Sequence, residues 1–244
     1  MRITHAYLVV VDISGYTRFI TNRSLALAHA EQIISDLITS VIDRSSYPMV
    51  LNKLEGDAAL LYRELQPGDV GAARDVMGQV RSFFPAFRAR MELTRSLRSN
   101  CNCEACSNIA GLALKAFVHV GEIAIKQIRQ FEELAGEPVI LLHRLMKNHV
   151  PTREYVLLTA GAASGAELDE THLRAHVEEV ADIGAQQLWI AVPEDLPEPA
   201  GGSERAARTG SQPQRLKFYH HLPDAQRFSW LRDLRGWLRM KLFT

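Results

Sequence analysis

The chain lacks a charge bias: 28 lysines and arginines meet 28 aspartates and glutamates over 244 residues. Without a basic excess there is little to neutralise a phosphate backbone, so nucleic acid is not an expected partner. No apolar run approaches the roughly 20 residues that a membrane-spanning helix needs. The N-terminal residues enter a strand pattern directly, without the charged and apolar blocks of a signal peptide, so a cytoplasmic location is expected. Cysteine is scarce, and all three, Cys101, Cys103 and Cys106, fall within six residues. Such clustering points to a metal or to plain reduced thiols rather than to a disulfide framework. What the chain does have is apolar content, 47% hydrophobic residues, enough for one substantial domain with an appendage.

Two short segments carry the chemistry. Tyr7-Leu-Val-Val-Val-Asp-Ile-Ser-Gly-Tyr-Thr17 is an apolar strand that ends in Asp12 and a glycine turn. Backbone amides from Ile13 to Thr17 are expected to point at an anion, as in a phosphate-cradling loop. About 45 residues later, Lys53-Leu-Glu-Gly-Asp57 joins two apolar strands, Met49 to Leu54 and Ala58 to Tyr62, as a hairpin with Asp57 at its tip. Two carboxylates and substrate phosphates commonly hold hard divalent cations such as Mg²⁺. Taken singly, each Asp is more often a turn or cap residue.

The rest of the pattern alternates helices and strands. Ile34, Leu37, Ile38 and Val41 recur at helical steps between Ser24 and Arg44. Val76, Val80, Phe83, Phe84 and Phe87 do so between Asp69 and Arg98, where Pro85 is expected to kink or interrupt the helix. Strands are expected at Leu112 to His119 and Ile123 to Gln127, then a helix around Gly136 to Asn148. Further strands are expected at Tyr155 to Thr159, Ala175 to Ala181 and Gln187 to Val192. This order indicates an α+β fold, an antiparallel-rich sheet with helices on one face.

Asp-Ile-Ser-Gly-Tyr-Thr resembles the first signature of the class III nucleotidyl cyclases, and Lys-Leu-Glu-Gly-Asp resembles the second. Leu114-Lys-Ala-Phe-Val-His-Val-Gly-Glu-Ile123 is similar to that family's strand, His-x-Gly-Glu turn and strand. Glu133-Leu-Ala-Gly-Glu-Pro-Val-Ile-Leu-Leu-His-Arg144 resembles its Asp-x-x-Gly-x-x-Val-Asn-x-Ala-x-Arg segment. The resemblance covers roughly residues 5 to 193. The cysteine insert and the run from Leu142 to Pro151 look like an uncharacterised bacterial branch of these cyclase-like proteins.

The resemblance implies a ferredoxin-like cyclase domain over residues 1–193 that forms a homodimer. Asp12, Asp57 and the Ile13 carbonyl would hold two Mg or Mn ions, and Gly15, Tyr16 and Thr17 would receive the triphosphate. Lys53 and Glu133 would read the purine edge, favouring ATP. Arg144 would stabilise charge on the reacting phosphate, and the product would be cyclic AMP. Two departures weaken the step to activity. Ile140 stands where the family has a ribose-orienting Asn, and Glu178 to Val192 contains none of the basic residues among which the family has a phosphate lysine. A catalytically degenerate domain that binds nucleotide or a protein is the alternative.

A structural zinc at Cys101, Cys103 and Cys106 needs a fourth ligand, for which His119 or His143 is a candidate if the fold brings either near. His119 on a strand is also an ordinary core histidine. Residues 194–214, rich in proline and glycine, read as a flexible linker. Residues 215–244 read as a basic amphipathic segment, with Trp230, Leu234, Trp237 and Leu238 on one face flanked by Arg232, Arg235, Arg239 and Lys241. That segment could contact an anionic membrane surface or a protein peripherally, or fold back on the domain.

Overall fold

The computed structural model describes residues 1–16, 19, 24–166 and 168–199. The chain divides into a unit from Met1 to Ala200 and a second from Gly201 to Thr244. The second unit, with most of the expected linker and all of the basic amphipathic segment, lies outside the described residues. Among the described residues, no helix is long and apolar enough to cross a membrane.

Eight strands form one sheet: β1 (Arg2–Ser14), β2 (Val50–Glu55), β3 (Ala58–Glu64), β4 (Ala113–Ile128), β5 (Phe131–Ala135), β6 (Tyr155–Thr159), β7 (Leu173–Val180) and β8 (Gly184–Ala191). Their order is β2-β3-β1-β4-β6-β8-β7, with β5 paired to β4 outside that path. Among the described strands only the β4–β6 pairing is parallel. Among the described residues the α-helices are α1 (Ser24–Ile42), α2 (Ala72–Leu97), α3 (Glu104–Ser107), α4 (Glu137–Leu145) and α5 (Ala160–Gly165).

β1 is central, antiparallel to β3 on one side and to β4 on the other. Alternate side chains of a strand face opposite ways, so a strand covered on both faces reads as an unbroken apolar run. Val9, Val11 and Ile13 join the core under α1 and α2, with Ile33, Leu37, Val41, Val80, Phe83 and Phe84. Ala6, Leu8 and Val10 join the second core under α4, with Val139, Leu142 and Leu145. The α+β, antiparallel-rich expectation is borne out, and the helices extend to a second face because α4 supplies its own apolar stripe.

Two local expectations are corrected. α2 runs unbroken from Ala72 to Leu97 through Pro85. The ring removes one helical hydrogen bond, yet Phe83, Phe84 and Phe87 beside it are all completely buried, and that packing outweighs the loss. The expected turn at Gly121-Glu122 is also absent, since β4 continues as one strand of 16 residues, with Ala6 opposite Gly121 and His5 opposite Glu122. The hairpin comes later, where Ile128 pairs Phe131 and Arg129 takes a positive φ of 55°. Gly121 instead allows a close approach: a Cβ there would lie 2.6 Å from Pro138 at the start of α4.

Beyond β8, Pro193–Asp195 forms a 3-10 turn and Leu196 is buried in the α1–α2 core. Arg88 of α2 pairs with Glu194 at 2.5 Å, and Arg81 donates to the Leu196 carbonyl.

Candidate functional site

Asp12 lies near the end of β1 and Asp57 in the turn joining β2 to β3. β1 and β3 pair with Asp12 opposite Ala58, so the two acidic residues are on adjoining chain segments. The Ile13 amide donates to the Asp57 carbonyl at 3.2 Å, which ties the two segments together. Both residues are nearly withdrawn from water, at 8% and 9% exposure. A carboxylate so placed needs a cation or hydrogen bonds to offset its lost hydration. For Asp12 that partner is Lys115, directly opposite on β4, whose ammonium stands 2.8 Å from Oδ2.

The same bond corrects the expectation for the loop amides. Ile13 does not offer its amide to an anion, because the strand continues to Ser14 and the Asp57 carbonyl accepts that donor. The turn begins at Gly15, whose φ of 92° suits glycine. A Cβ on Gly15 would lie 2.8 Å from Arg153 Nη2, so a guanidinium sits against this turn while donating to the Gly111 carbonyl. The Tyr16 hydroxyl donates to Glu31 of α1 at 3.3 Å, and burial, then the Glu31 and Asp57 charges, push its pKa well up. Thr17 lies outside the described residues.

Lys53 on β2 and Glu133 on β5 come together, with Nζ 3.6 Å from Glu133 Oε2 and 3.4 Å from Glu55 Oε1. The β5 arm reaches β2 because Asn52 donates to the Glu132 carbonyl at 3.1 Å and the Tyr62 hydroxyl donates to Glu132 at 2.6 Å. Arg144 on α4 donates through Nη2 to Asp182 at 3.0 Å, while its Nη1 is buried without a hydrogen-bond partner. Ile140, one turn earlier, is 52% exposed. The site residues thus fall in three groups: Asp12, Asp57 and Lys115; Lys53, Glu55 and Glu133; and Arg144 with Asp182.

His119 and His143 are corrected as fourth ligands for the cysteines. His119 Nδ1 lies 2.9 Å from Thr159 Oγ1, and burial holds its pKa down at about 4. His143 Nε2 lies 3.0 Å from Glu55 Oε2. The hydrogen bond to Glu55 raises the pKa of His143, and the same bond lowers that of Glu55. A raised histidine stabilises below its unfolded value of 6.5 and loses this as pH climbs through its folded pKa. A lowered carboxylate stabilises above 4.5 and loses this as pH falls through its folded pKa. The pair therefore contributes fully between about pH 4.5 and 6.5. In an NMR titration His143 should show a midpoint above 6.5 that falls in Glu55→Gln. An unchanged midpoint would reject the pairing.

The histidine that does reach the cysteines is His29 of α1. Its Nδ1 lies 3.4 Å from Cys103 Sγ, 3.6 Å from Cys101 Sγ and 3.8 Å from Cys106 Sγ. The four ligand atoms lie within 4.8 Å of one another, so the cluster could hold a metal ion.

A family model described as "Protein of unknown function (DUF2652)" matches residues 34–155, half of the chain. The chain belongs to this family. The uncharacterized protein Rv2561/Rv2562 of Mycobacterium tuberculosis is 38% identical over 128 residues, or 52% of this chain and 57% of that protein. The chain thus matches little more than half the length of this relative. Solved structures extend the likeness at the level of fold. The adenylyl cyclase CyaB from P. aeruginosa superposes with a TM-score of 0.54 at 13% identity, over 78% of this chain and 95% of that one. The guanylyl cyclase Cya2 does so with a TM-score of 0.56 at 10% identity, over 78% and 92%. This DUF2652 chain has the cyclase-domain fold.

Sequence reasoning missed Lys115, His29 and the pairing of Glu55 with His143. Lys115 was legible in principle, as the one charge in the buried run Leu114 to Val118. His29 and the Glu55–His143 pair carried no signal, since their partners are 72 to 88 positions away.

Proposed function

We propose that this domain binds ATP with two divalent ions, Mg²⁺ or Mn²⁺, and converts it to cyclic AMP and pyrophosphate as a homodimer. The observation that supports the reading is the Ile13–Asp57 main-chain bond, which joins the two segments that carry the nearly buried Asp12 and Asp57. Their hard oxygen donors fit Mg²⁺ or Mn²⁺. When bound, such ions neutralise phosphate charge and make the ribose 3′-oxygen a better nucleophile.

The remaining steps belong to the protein. Lys53, held between Glu55 and Glu133, would donate to the adenine edge, and Glu133 would accept from the exocyclic amine. The missing side chain of Gly15 lets the Arg153 guanidinium stand against this turn, and that guanidinium is a cation suited to the phosphates. That position could supply the anchor missing from residues 178–192. Arg144, from the second copy across the two-fold interface, would exchange Asp182 for the α-phosphate. In the reaction the 3′-oxygen bonds to the α-phosphorus and the bond to the bridging oxygen breaks. Pyrophosphate leaves with that electron pair, and the hydroxyl proton passes to solvent. Positioning and charge stabilisation are the protein's contribution. The adenylyl and guanylyl cyclases that share the fold support the reaction class.

A second reading, a domain that binds nucleotide without turnover, is favoured by the Lys115–Asp12 pair and by Ile140. The ammonium already neutralises one metal-binding carboxylate, and an exposed aliphatic side chain cannot orient a ribose. Incubating the full chain with ATP and Mg²⁺ or Mn²⁺ separates the two: equimolar cyclic AMP and pyrophosphate support the first. Saturable calorimetric binding with no product supports the second.

Lys115 yields its own prediction. Lys115→Met removes the competing ammonium, so Mn²⁺ should bind about tenfold tighter by calorimetry, equivalent to ~1.4 kcal/mol. Unchanged affinity would show that Lys115 does not compete with metal.

A further inference from the structure

We propose that His29, Cys101, Cys103 and Cys106 form a tetrahedral zinc site that clamps α1 to the loop ahead of β4. Nδ1 carries either one proton or one lone pair, so it can satisfy a single thiol by a hydrogen bond. Here three sulfurs surround it at 3.4, 3.6 and 3.8 Å, a spread that ordinary pairing does not require. A central ion does require it. With zinc–sulfur bonds of about 2.3 Å and zinc–nitrogen bonds of about 2.0–2.1 Å, a tetrahedron has nitrogen–sulfur edges of about 3.5–3.6 Å.

The local chain is built to present the sulfurs together. Cys103 caps α3, and its sulfur accepts the backbone amide of Cys106 at 3.4 Å. That donor stabilises a thiolate, the form that binds metal. Ala105 between the ligands is buried, and Cys103 and Cys106 pack against the main core, which anchors the short loop. His29 comes from the first half of α1, about 70 residues earlier in the chain. A bond from each side to one ion therefore closes a long loop.

Donor chemistry selects the ion. Three soft thiolates and an imidazole suit zinc, whereas the oxygen donors of Asp12 and Asp57 suit magnesium or manganese. Four protein ligands leave no open position, so the site is structural, with no role as a Lewis acid. All three cysteines are free thiols with none left to form a disulfide elsewhere.

Metal analysis of the freshly reduced full chain, reconstituted with zinc and desalted, should give about one equivalent per chain. The Cys103→Ser/Cys106→Ser double variant should fall below about one fifth of that. Replacing zinc by cobalt in the wild-type chain should produce strong thiolate-to-metal charge-transfer absorption and the intense visible bands of tetrahedral cobalt. His29→Cys should keep the metal and shift those visible bands, since a fourth sulfur replaces nitrogen. Less than about half an equivalent of zinc in the wild type would overturn the site. So would a cobalt protein without thiolate charge transfer, or a His29→Cys spectrum identical to wild type. The cobalt spectrum needs no variant, so misfolding of the serine protein cannot obscure the result.

Discussion

Asp57→Ala should lower ATP turnover with Mn²⁺ at least 10²-fold, the scale set by losing one group that positions or neutralises the reacting phosphate. If Asp57 holds the metal as proposed, the effect should fall on kcat and on metal affinity together. Asp12→Ala should match it in activity but differ in stability. It leaves the Lys115 ammonium, now 2.8 Å from Asp12 Oδ2, without that counter-charge inside the sheet. The two variants are therefore separable by their melting temperatures even where both lose turnover. Retained activity in Asp57→Ala, within a few-fold of wild type, would place the chemistry elsewhere.

The second large effect is on the fold. Phe84 is completely buried in α2, packed with Phe83, Phe87 and the β1 residues under that helix. Phe84→Ala should cost about 3–5 kcal/mol, from lost transfer energy and the cavity left behind. Against the ~5–15 kcal/mol stability of typical domains, that is a large share. Urea unfolding should show a lower midpoint at a similar slope. A loss under about 1 kcal/mol would mean that the aromatic stripe is not what offsets Pro85.

Much of the fold was legible because its signals are local. The run Leu8 to Val11 marks a strand buried on both faces, and Ile34, Leu37, Ile38 and Val41 mark a helix over the sheet. The errors came where tertiary packing overrides local signals. Gly121 reads as a turn residue, yet it is needed for the approach of Pro138 against a strand that goes straight on. Pro85 reads as a helix breaker, yet neighbouring phenylalanines hold the helix together.

The candidate site was legible in its chemistry more than in its pairings. Asp12 and Asp57 stand out by type and spacing, and Lys53 and Glu133 through the cyclase resemblance, but one strand lysine cannot reveal by sequence alone which carboxylate it will meet. Lys115 meets Asp12 only because the β1–β4 register sets them opposite one another. The cysteine cluster is similar. Its three cysteines fall within six residues, while His29 is supplied by a helix that reaches them only in the folded chain. Registers and helix docking are non-local, and no short motif encodes them.

The most direct test of the nucleotide reading is product formation from ATP, GTP, CTP and UTP by the purified full chain with Mg²⁺ or Mn²⁺, measured beside Asp57→Ala. Cyclic AMP from ATP, in excess over any other cyclic product and lost in the variant, is the predicted result. No cyclic product above the Asp57→Ala control with any of the four nucleotides would contradict it.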